Sequence, residues 1–308
     1  FNYGSTTIHN EENNSQNCNL MSKITEEEIK KILPLKGPSF EEVKNYLDKY
    51  NDEYVVIKCG GSVLVDQSLF NNFINDISIL NKLGFIPVVI HGGGKRISNK
   101  LKETGIKSDF INGLRVTDKN SIRVVEDVLI NFNKEITEAL KKNGCDSRCI
   151  TSKQNNILLV EQENQELGFV GTPKEINQSI IEQIVKEKKV PVIAPLGLDK
   201  NNQVYNINAD TAAGAIAKKL NARRLIIMSD VEGVLDNDKK LISEINTNRI
   251  NELIKDETIS GGMIPKINNC LDVASNGVKG VCIIDGRLNH SILFELLSDK
   301  GSGTLIRL

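Results

Sequence analysis

At 308 residues, with 39% hydrophobic and 26% charged side chains, the chain can bury a substantial core and has ordinary globular composition. Its 39 lysines and arginines nearly cancel its 40 aspartates and glutamates, and a net charge of −1 excludes a global field that would hold nucleic acid or an anionic membrane surface. No apolar run reaches the roughly 18 residues of a membrane span; the six cysteines form no C-x-x-C pair and Cys145 and Cys149 lack a nearby His, so reduced thiols in an intracellular protein are expected.

Residues 1–20 are rich in Asn, Ser, Thr and Glu, show no helical period and lack the apolar stretch of a secretory signal, so a disordered tail is expected, whether a natural extension, a presequence remnant or a non-native addition. The second origin would place the chain in a mitochondrial matrix or plastid stroma; otherwise a cytoplasmic location is expected. Residues 21–51 predict two short helices. Thr25 to Glu28 and Ser39 to Glu42 each fit a capping box, and Pro34, Gly37 and Pro38 separate them.

From residue 52 onward apolar strand-like runs alternate with amphipathic stretches, which predicts an α/β fold with a mainly parallel sheet covered on both faces. Strands are expected at Tyr54 to Lys58, Ile86 to His91, Pro191 to Ala194, Leu225 to Met228 and Gly280 to Ile284. Helices are expected to begin near Gln67, Lys95, Asp118, Lys174, Ala209 and Gly262. Asp109 to Val116 and Ile157 to Val170 break the alternation and are expected as hairpins over one end of the sheet, where they could cover a substrate.

Two strand ends run into glycines. VVIKCGGSV carries Lys58 into Gly60 and Gly61, and VVIHGGGKRI carries His91 into Gly92, Gly93 and Gly94. Such turns let backbone N–H groups approach an anion near a helix N-terminus. The second turn is not a dinucleotide fingerprint, because position 97 is Ile97, nor a Walker loop, because Lys95 is followed by Arg96. Two such turns suggest one crevice at the carboxyl ends of the strands.

Further along, GLRVTD presents Arg115, whose guanidinium fits a planar carboxylate in a bidentate way. NINAD places Asn206, Asn208 and Asp210 at alternate positions, on one face if the stretch is extended. IIMSDVEGVLD ends a strand in an acidic, glycine-containing loop, and TISGGMIPK leads into a helix bearing Lys266, a second lysine that could meet phosphate oxygens.

In this order, from about Tyr54 to Leu308, the six elements resemble the amino-acid kinase family, and within it the branch that phosphorylates the side-chain carboxylate of N-acetyl-L-glutamate on the route to arginine. The resemblance implies a three-layer αβα sandwich with an N-terminal helical extension, residues 52–195 binding acetylglutamate and 196–308 binding ATP, with Mg²⁺ arriving on the nucleotide. Lys58 and Lys266 would stabilise the phosphoryl group in transit and Asp210 would hold both. Gly93, Gly94, Arg115, Asn206 and Asn208 would serve acetylglutamate. Gly60 and Gly61 would cradle the ATP phosphates, and Ser229, Asp230, Val231, Glu232, Gly233, Val234, Leu235, Thr258, Ile259 and Ser260 would line the nucleotide pocket.

The N-terminal helices and HSILFELLSDKGSGTLI together resemble the arginine-inhibited members, which form hexamers as trimers of dimers. By motif position Glu295 and Gly301 would contact arginine. Thr172 and Pro173 in GFVGTP depart from the family, which bears on acetyl recognition, and Cys59 inside the first turn, where the family is variable, raises the question of thiol sensitivity. Aspartokinases share the fold and the first turn but not the HGGG, GLRVT and N-x-N-A-D set; a non-catalytic arginine sensor would not need the two lysines and Asp210.

Overall fold

The computed structural model describes residues 24–308, so the expected disorder over 1–20 lies outside the described residues. Three short helices come first, α1 (Glu26–Ile32), α2 (Phe40–Lys44) and α3 (Leu47–Tyr50). The first two open on the capping boxes read from the sequence: the Thr25 and Ser39 side chains accept from the backbone N–H of Glu28 and Glu42, whose carboxylates accept from the cap backbone in return.

The chain then alternates through β1 (Tyr54–Cys59), a 3-10 turn (Gly61–Leu64), α4 (Gln67–Lys82), β2 (Ile86–His91), α5 (Gly94–Glu103), β3 (Phe110–Ile111), β4 (Leu114–Arg115), α6 (Ser121–Lys142), β5 (Ser147–Ile150), β6 (Leu158–Gln162), β7 (Gly171–Ile176), α7 (Gln178–Lys186) and β8 (Val190–Ile193). It continues through β9 (Leu196–Leu198), β10 (Val204–Asn206), α8 (Ala209–Lys219), β11 (Arg224–Ser229), β12 (Glu244–Asn246), α9 (Thr247–Lys255), α10 (Met263–Ser275), β13 (Val281–Asp285), α11 (Ser291–Leu297) and β14 (Gly303–Arg307).

Eight strands form one sheet in the order β12-β14-β13-β11-β1-β2-β8-β5, parallel except where β13 meets β14. Both faces are covered, and β1 shows why it reads as a continuous apolar run. Val55 and Ile57 pack into one core with Phe73, Phe132 and Leu293, while Val56 packs into the opposite core with Ile216 and Ile267. Each of these three fully buried β1 side chains contributes roughly 1.5–3 kcal/mol of transfer free energy. Because β1 has β2 on one side and β11 on the other, the strand order reverses there, and the crevice opens at their carboxyl ends.

The smaller strands differ from expectation in two places. Asp109 to Val116 does contain a hairpin, β3–β4, turned by Asn112 and Gly113 with φ of 50° and 81° as a two-residue primed turn requires. Ile157 to Val170 does not close on itself: β6 pairs antiparallel with β7, in a second sheet of order β10-β9-β6-β7. No helix begins near Lys174, which lies on β7; the helix starts at Gln178. Antiparallel pairing with β6, from Gly171 opposite Gln162 to Ile176 opposite Leu158, holds this stretch extended, and Pro173 is tolerated there because β7 is an edge strand.

Candidate active site

The charged centre is built from three elements. Lys58 comes from the end of β1, Asp210 from the first turn of α8 and Lys266 from α10. Lys266 Nζ donates to Asp210 Oδ2 at 2.6 Å, and Lys58 Nζ stands 3.0 Å from Oδ1. The Lys58 contact is an ion pair without hydrogen-bond alignment, and Oδ1 has no other partner. Asn269 Nδ2 donates to the Asp210 carbonyl at 3.1 Å and so fixes α10 against α8. Burial alone would raise the Asp210 carboxyl, but the two ammonium groups more than reverse this and hold it down at about 2.

The extended face expected for Asn206, Asn208 and Asp210 is not formed. The strand ends at Asn206, Asn208 is the N-cap of α8 and accepts from Thr211 N at 3.1 Å, and Asp210 already lies in the helix. An Asn at this position satisfies one of the orphan N–H groups of the helix, and that wins over continuing the strand. Asn206 and Asn208 nevertheless line the same cavity.

The glycines of the first turn make room for charged side chains. A Cβ on Gly60 would stand 2.4 Å from Lys58 Nζ, so this glycine lets the ammonium lie against the backbone. Gly61 has φ of +64°, and its Cβ would meet Asp230 Oδ1 at 2.4 Å. That oxygen accepts from Ser62 N at 2.8 Å, while Lys95 Nζ reaches Oδ2 at 3.4 Å. Asp230 therefore braces the first turn as well as standing at the mouth of the expected nucleotide loop. Cys59 is buried and burial pushes its thiol up, so it is an inert core residue and not an oxidant-sensitive one.

The second turn is tied to the first, because Gly92 N donates to Cys59 O at 2.8 Å. Gly93 and Gly94 open the ten-residue α5, whose N-terminus carries partial positive charge. A cavity of about 210 Å³ is lined by Lys58, Gly60, Gly61, Gly93, Gly94, Arg115, Asn206 and Asn208, with Val170 from just before β7. A larger neighbouring space of about 620 Å³ shares Gly61, Gly93, Gly94, Phe110 and Arg115 with it.

Arg115 is 6% exposed and makes no salt bridge with any acid among the described residues. Its Nη2 donates to Gly94 O and Ser98 Oγ, both at 2.9 Å, Nη1 donates to Ser108 Oγ, and the guanidinium lies 4.6 Å from the Phe110 ring centroid. Burial lowers its pKa without an anion to compensate. An arginine buried against neutral oxygens beside a cavity is arranged for an anionic ligand. Ser98, Ser108 and Phe110 escape motif reading; the one signal for Ser98 is its place one helical turn after Gly94.

The loops expected for the nucleotide are brought together but line neither cavity. Ser229 ends β11, and its carbonyl accepts from Gly286 N at 2.8 Å. Val231 and Glu232 are exposed, Gly233 packs closely on Thr304, and Leu235 bridges to Leu241. Val234 and Ile259 are core residues, so any ligand contact there runs through main chain. Thr258 Oγ1 donates to Asn237 Oδ1 at 2.5 Å, joining the two loops next to exposed Ser260. Glu295 and Gly301 meet at the turn after α11, where Ser302 N donates to Glu295 Oε2 at 2.8 Å.

Comparison with known proteins places this arrangement among relatives. Residues 53–285 match the model of the amino acid kinase family. The acetylglutamate kinase of Pelagibacter ubique (strain HTCC1062) is 68% identical over 287 residues, covering 93% of this chain and 100% of that protein. The acetylglutamate kinase of Campylobacter fetus subsp. fetus (strain 82-40) is 46% identical over 264 residues, covering 85% and 94%. Among solved structures, N-acetylglutamate synthase from Neisseria gonorrhoeae complexed with coenzyme A and N-acetyl-glutamate superposes with a TM-score of 0.79 at 21% identity, covering 87% of this chain; the present chain spans 62% of that one. That likeness is one of fold.

Proposed function

This chain belongs to the amino acid kinase family, and from that membership and the crevice we infer that it transfers the γ-phosphate of ATP to the side-chain carboxylate of N-acetyl-L-glutamate, giving ADP and an acyl phosphate. The observation that carries the reading is the pair of ammonium groups gathered on one carboxylate beside a glycine-lined cavity, with a buried, acid-free guanidinium on the same cavity wall.

Transfer brings two anions together. A carboxylate oxygen of the acceptor forms a bond to the γ-phosphorus as the bond to the β–γ bridging oxygen breaks, and that electron pair leaves on ADP. The acceptor is ionised at neutral pH, so no general base is needed. Lys58 and Lys266 offset charge on the moving phosphoryl group, and Asp210 keeps both aimed at it. Backbone N–H groups of Gly60 and Gly61 would receive ATP phosphate oxygens, while Gly93 and Gly94 would serve acetylglutamate, bordering the acceptor carboxylate where the phosphoryl group arrives.

Acetylglutamate is placed on residues 52–195, with its α-carboxylate on Arg115, and ATP on residues 196–308. Mg²⁺ would be held by the phosphates: among the described residues no group of three or more His, Cys, Asp or Glu is placed to hold a metal ion, and ammonium groups line the transfer point. When bound with the nucleotide it would neutralise charge on the β- and γ-phosphates.

Arg115→Lys tests the acceptor assignment. Losing the bidentate fork should raise KM for acetylglutamate at least about tenfold while KM for ATP changes little. Equal changes in both constants would remove Arg115 from the acceptor site.

A regulatory reading rests on a different place. The Cys282 thiol, raised first by burial, feels both the Glu295 carboxylate and the Arg224 guanidinium, and Arg224 is 6% exposed with no acid partner among the described residues. Opposite charges flanking one spot suit a zwitterion such as arginine, with Glu295 taking its guanidinium beside Gly301. Tyr46, between α2 and α3, donates through its hydroxyl to Asp299, which ties this spot to the N-terminal helices. We place those helices, residues 21–51, at the contact that joins dimers into a hexamer, and the protein in the cytoplasm. Activity should fall as arginine rises into the millimolar range; a flat curve would dispose of the regulatory reading while leaving the kinase reading intact.

A further inference from the structure

His91 ends β2 one residue before the second glycine turn and is completely buried. Its ring contacts two groups. Nδ1 lies 2.9 Å from the carbonyl oxygen of Gly92, and Nε2 lies 3.1 Å from Asn133 Nδ2, on the long helix α6. The Phe132 ring meets the imidazole edge-on at 5.1 Å. Neither His91, Phe132 nor Asn133 enters the cavity lining, and the transfer chemistry does not call on them.

The hydrogen-bond pattern fixes the proton positions. Asn133 Nδ2 also donates to Val192 O at 2.9 Å, which commits the amide nitrogen to this side and leaves Oδ1 without a partner. An NH₂ group facing Nε2 requires a lone pair there, and a carbonyl oxygen facing Nδ1 requires a proton there. The imidazole is therefore neutral and protonated on Nδ1. Burial acts in the same direction, lowering the ring to about 4.

The Gly92 carbonyl and the Gly93 N–H belong to one peptide unit. In a trans peptide the two point in opposite directions. Gripping the oxygen from the buried side thus turns the N–H away from the ring. No described group accepts from Gly93 N–H, and Gly93 lines both cavities.

We propose that His91 is a positioning residue for phosphoryl transfer: held by Asn133, it locks the Gly92–Gly93 peptide so that the Gly93 N–H faces the transferring group. The proposal rests on the kinase reading and adds to it a cause for the geometry of the second turn. A chain of hydrogen bonds runs from β8 through Asn133 and His91 to that peptide. A donor that must rotate into place costs more than one already aimed, so loosening this peptide should act on the transition state.

Two measurements test it. In the unaltered chain, long-range proton–nitrogen correlation of the imidazole side chains should show His91 protonated on Nδ1 alone at pH 7; the sequence has only three histidines, His9, His91 and His290, which makes assignment tractable. A ring protonated on Nε2, or on both nitrogens, would overturn the proposal without any variant having to fold.

The second compares His91→Asn, whose amide nitrogen can stand where Nδ1 stands, with His91→Gln and His91→Phe, which cannot restore that donor. Chains checked for an unchanged melting temperature should show kcat lowered about 10- to 100-fold in the Gln and Phe variants, with KM for either substrate moving less than about threefold, and the Asn variant should recover most of the loss. Equal impairment in all three, or none in any, would overturn it. No turnover of acetylglutamate by the unaltered chain would instead sink the kinase reading, and this proposal with it.

Discussion

Lys266→Ala and Lys58→Ala each lower kcat by about 10²-fold or more, the range expected when one preorganised group that stabilises developing charge is removed. Both ammonium groups are largely withdrawn from solvent, with side-chain exposures of 18% and 12%, so water cannot take over their work. Because both ion pairs share the Asp210 carboxylate, the double variant should lose less than the product of the two single losses. Steady-state rates in folded variants decide the matter. Near-normal kcat in both single variants would end this assignment of roles.

Asp210→Asn should be the most damaging single change to stability in the crevice. It keeps the size of the side chain but leaves two ammonium groups facing each other across a neutral amide. The Asp210 carboxyl is held at about 2, against an ordinary value of 3.8. The folded value is depressed, so its stabilisation is fully present above about pH 4 and is lost as pH falls through about 2. A shift of this size corresponds to about 2 kcal/mol at pH 7. Denaturant titrations should therefore show the variant about 2 kcal/mol less stable at pH 7, with the gap narrowing below pH 4. Equal stability at pH 7 would mean that the carboxylate does not hold the lysines as described.

The parts of this molecule that could be read ahead of the structure are those decided by local physics. β1 and β2 announce themselves as unbroken apolar runs because parallel strands are buried on both faces. The Thr25 and Ser39 capping boxes and the Asn112-Gly113 turn are four-residue or two-residue signals whose chemistry is complete within themselves. Lys58, Asp210 and Lys266 were legible as candidates only because motifs in a fixed order linked them.

What could not be read depends on partners far along the chain. Gly61 reads as a phosphate-binding glycine, and a second demand on it is invisible in the sequence: the space its missing Cβ leaves is filled by Asp230, whose carboxylate meets Ser62 across 168 residues. Arg115 looks like any surface arginine until β3, β4 and α5 bury it among neutral oxygens. The strand over Gly171–Ile176 was hidden because its edge position, set by β6, is what makes Pro173 acceptable. The alternation of Asn206, Asn208 and Asp210 misled, because helix capping at Asn208 outweighs strand continuation once α8 is in place.

The most direct test supplies ATP, Mg²⁺ and one acceptor at a time to the unaltered chain and traps acyl phosphate as its hydroxamate. Hydroxamate should accumulate with N-acetyl-L-glutamate and stay at background with aspartate. Trapped product from aspartate alone, or none from either acceptor, would contradict the assignment of this crevice.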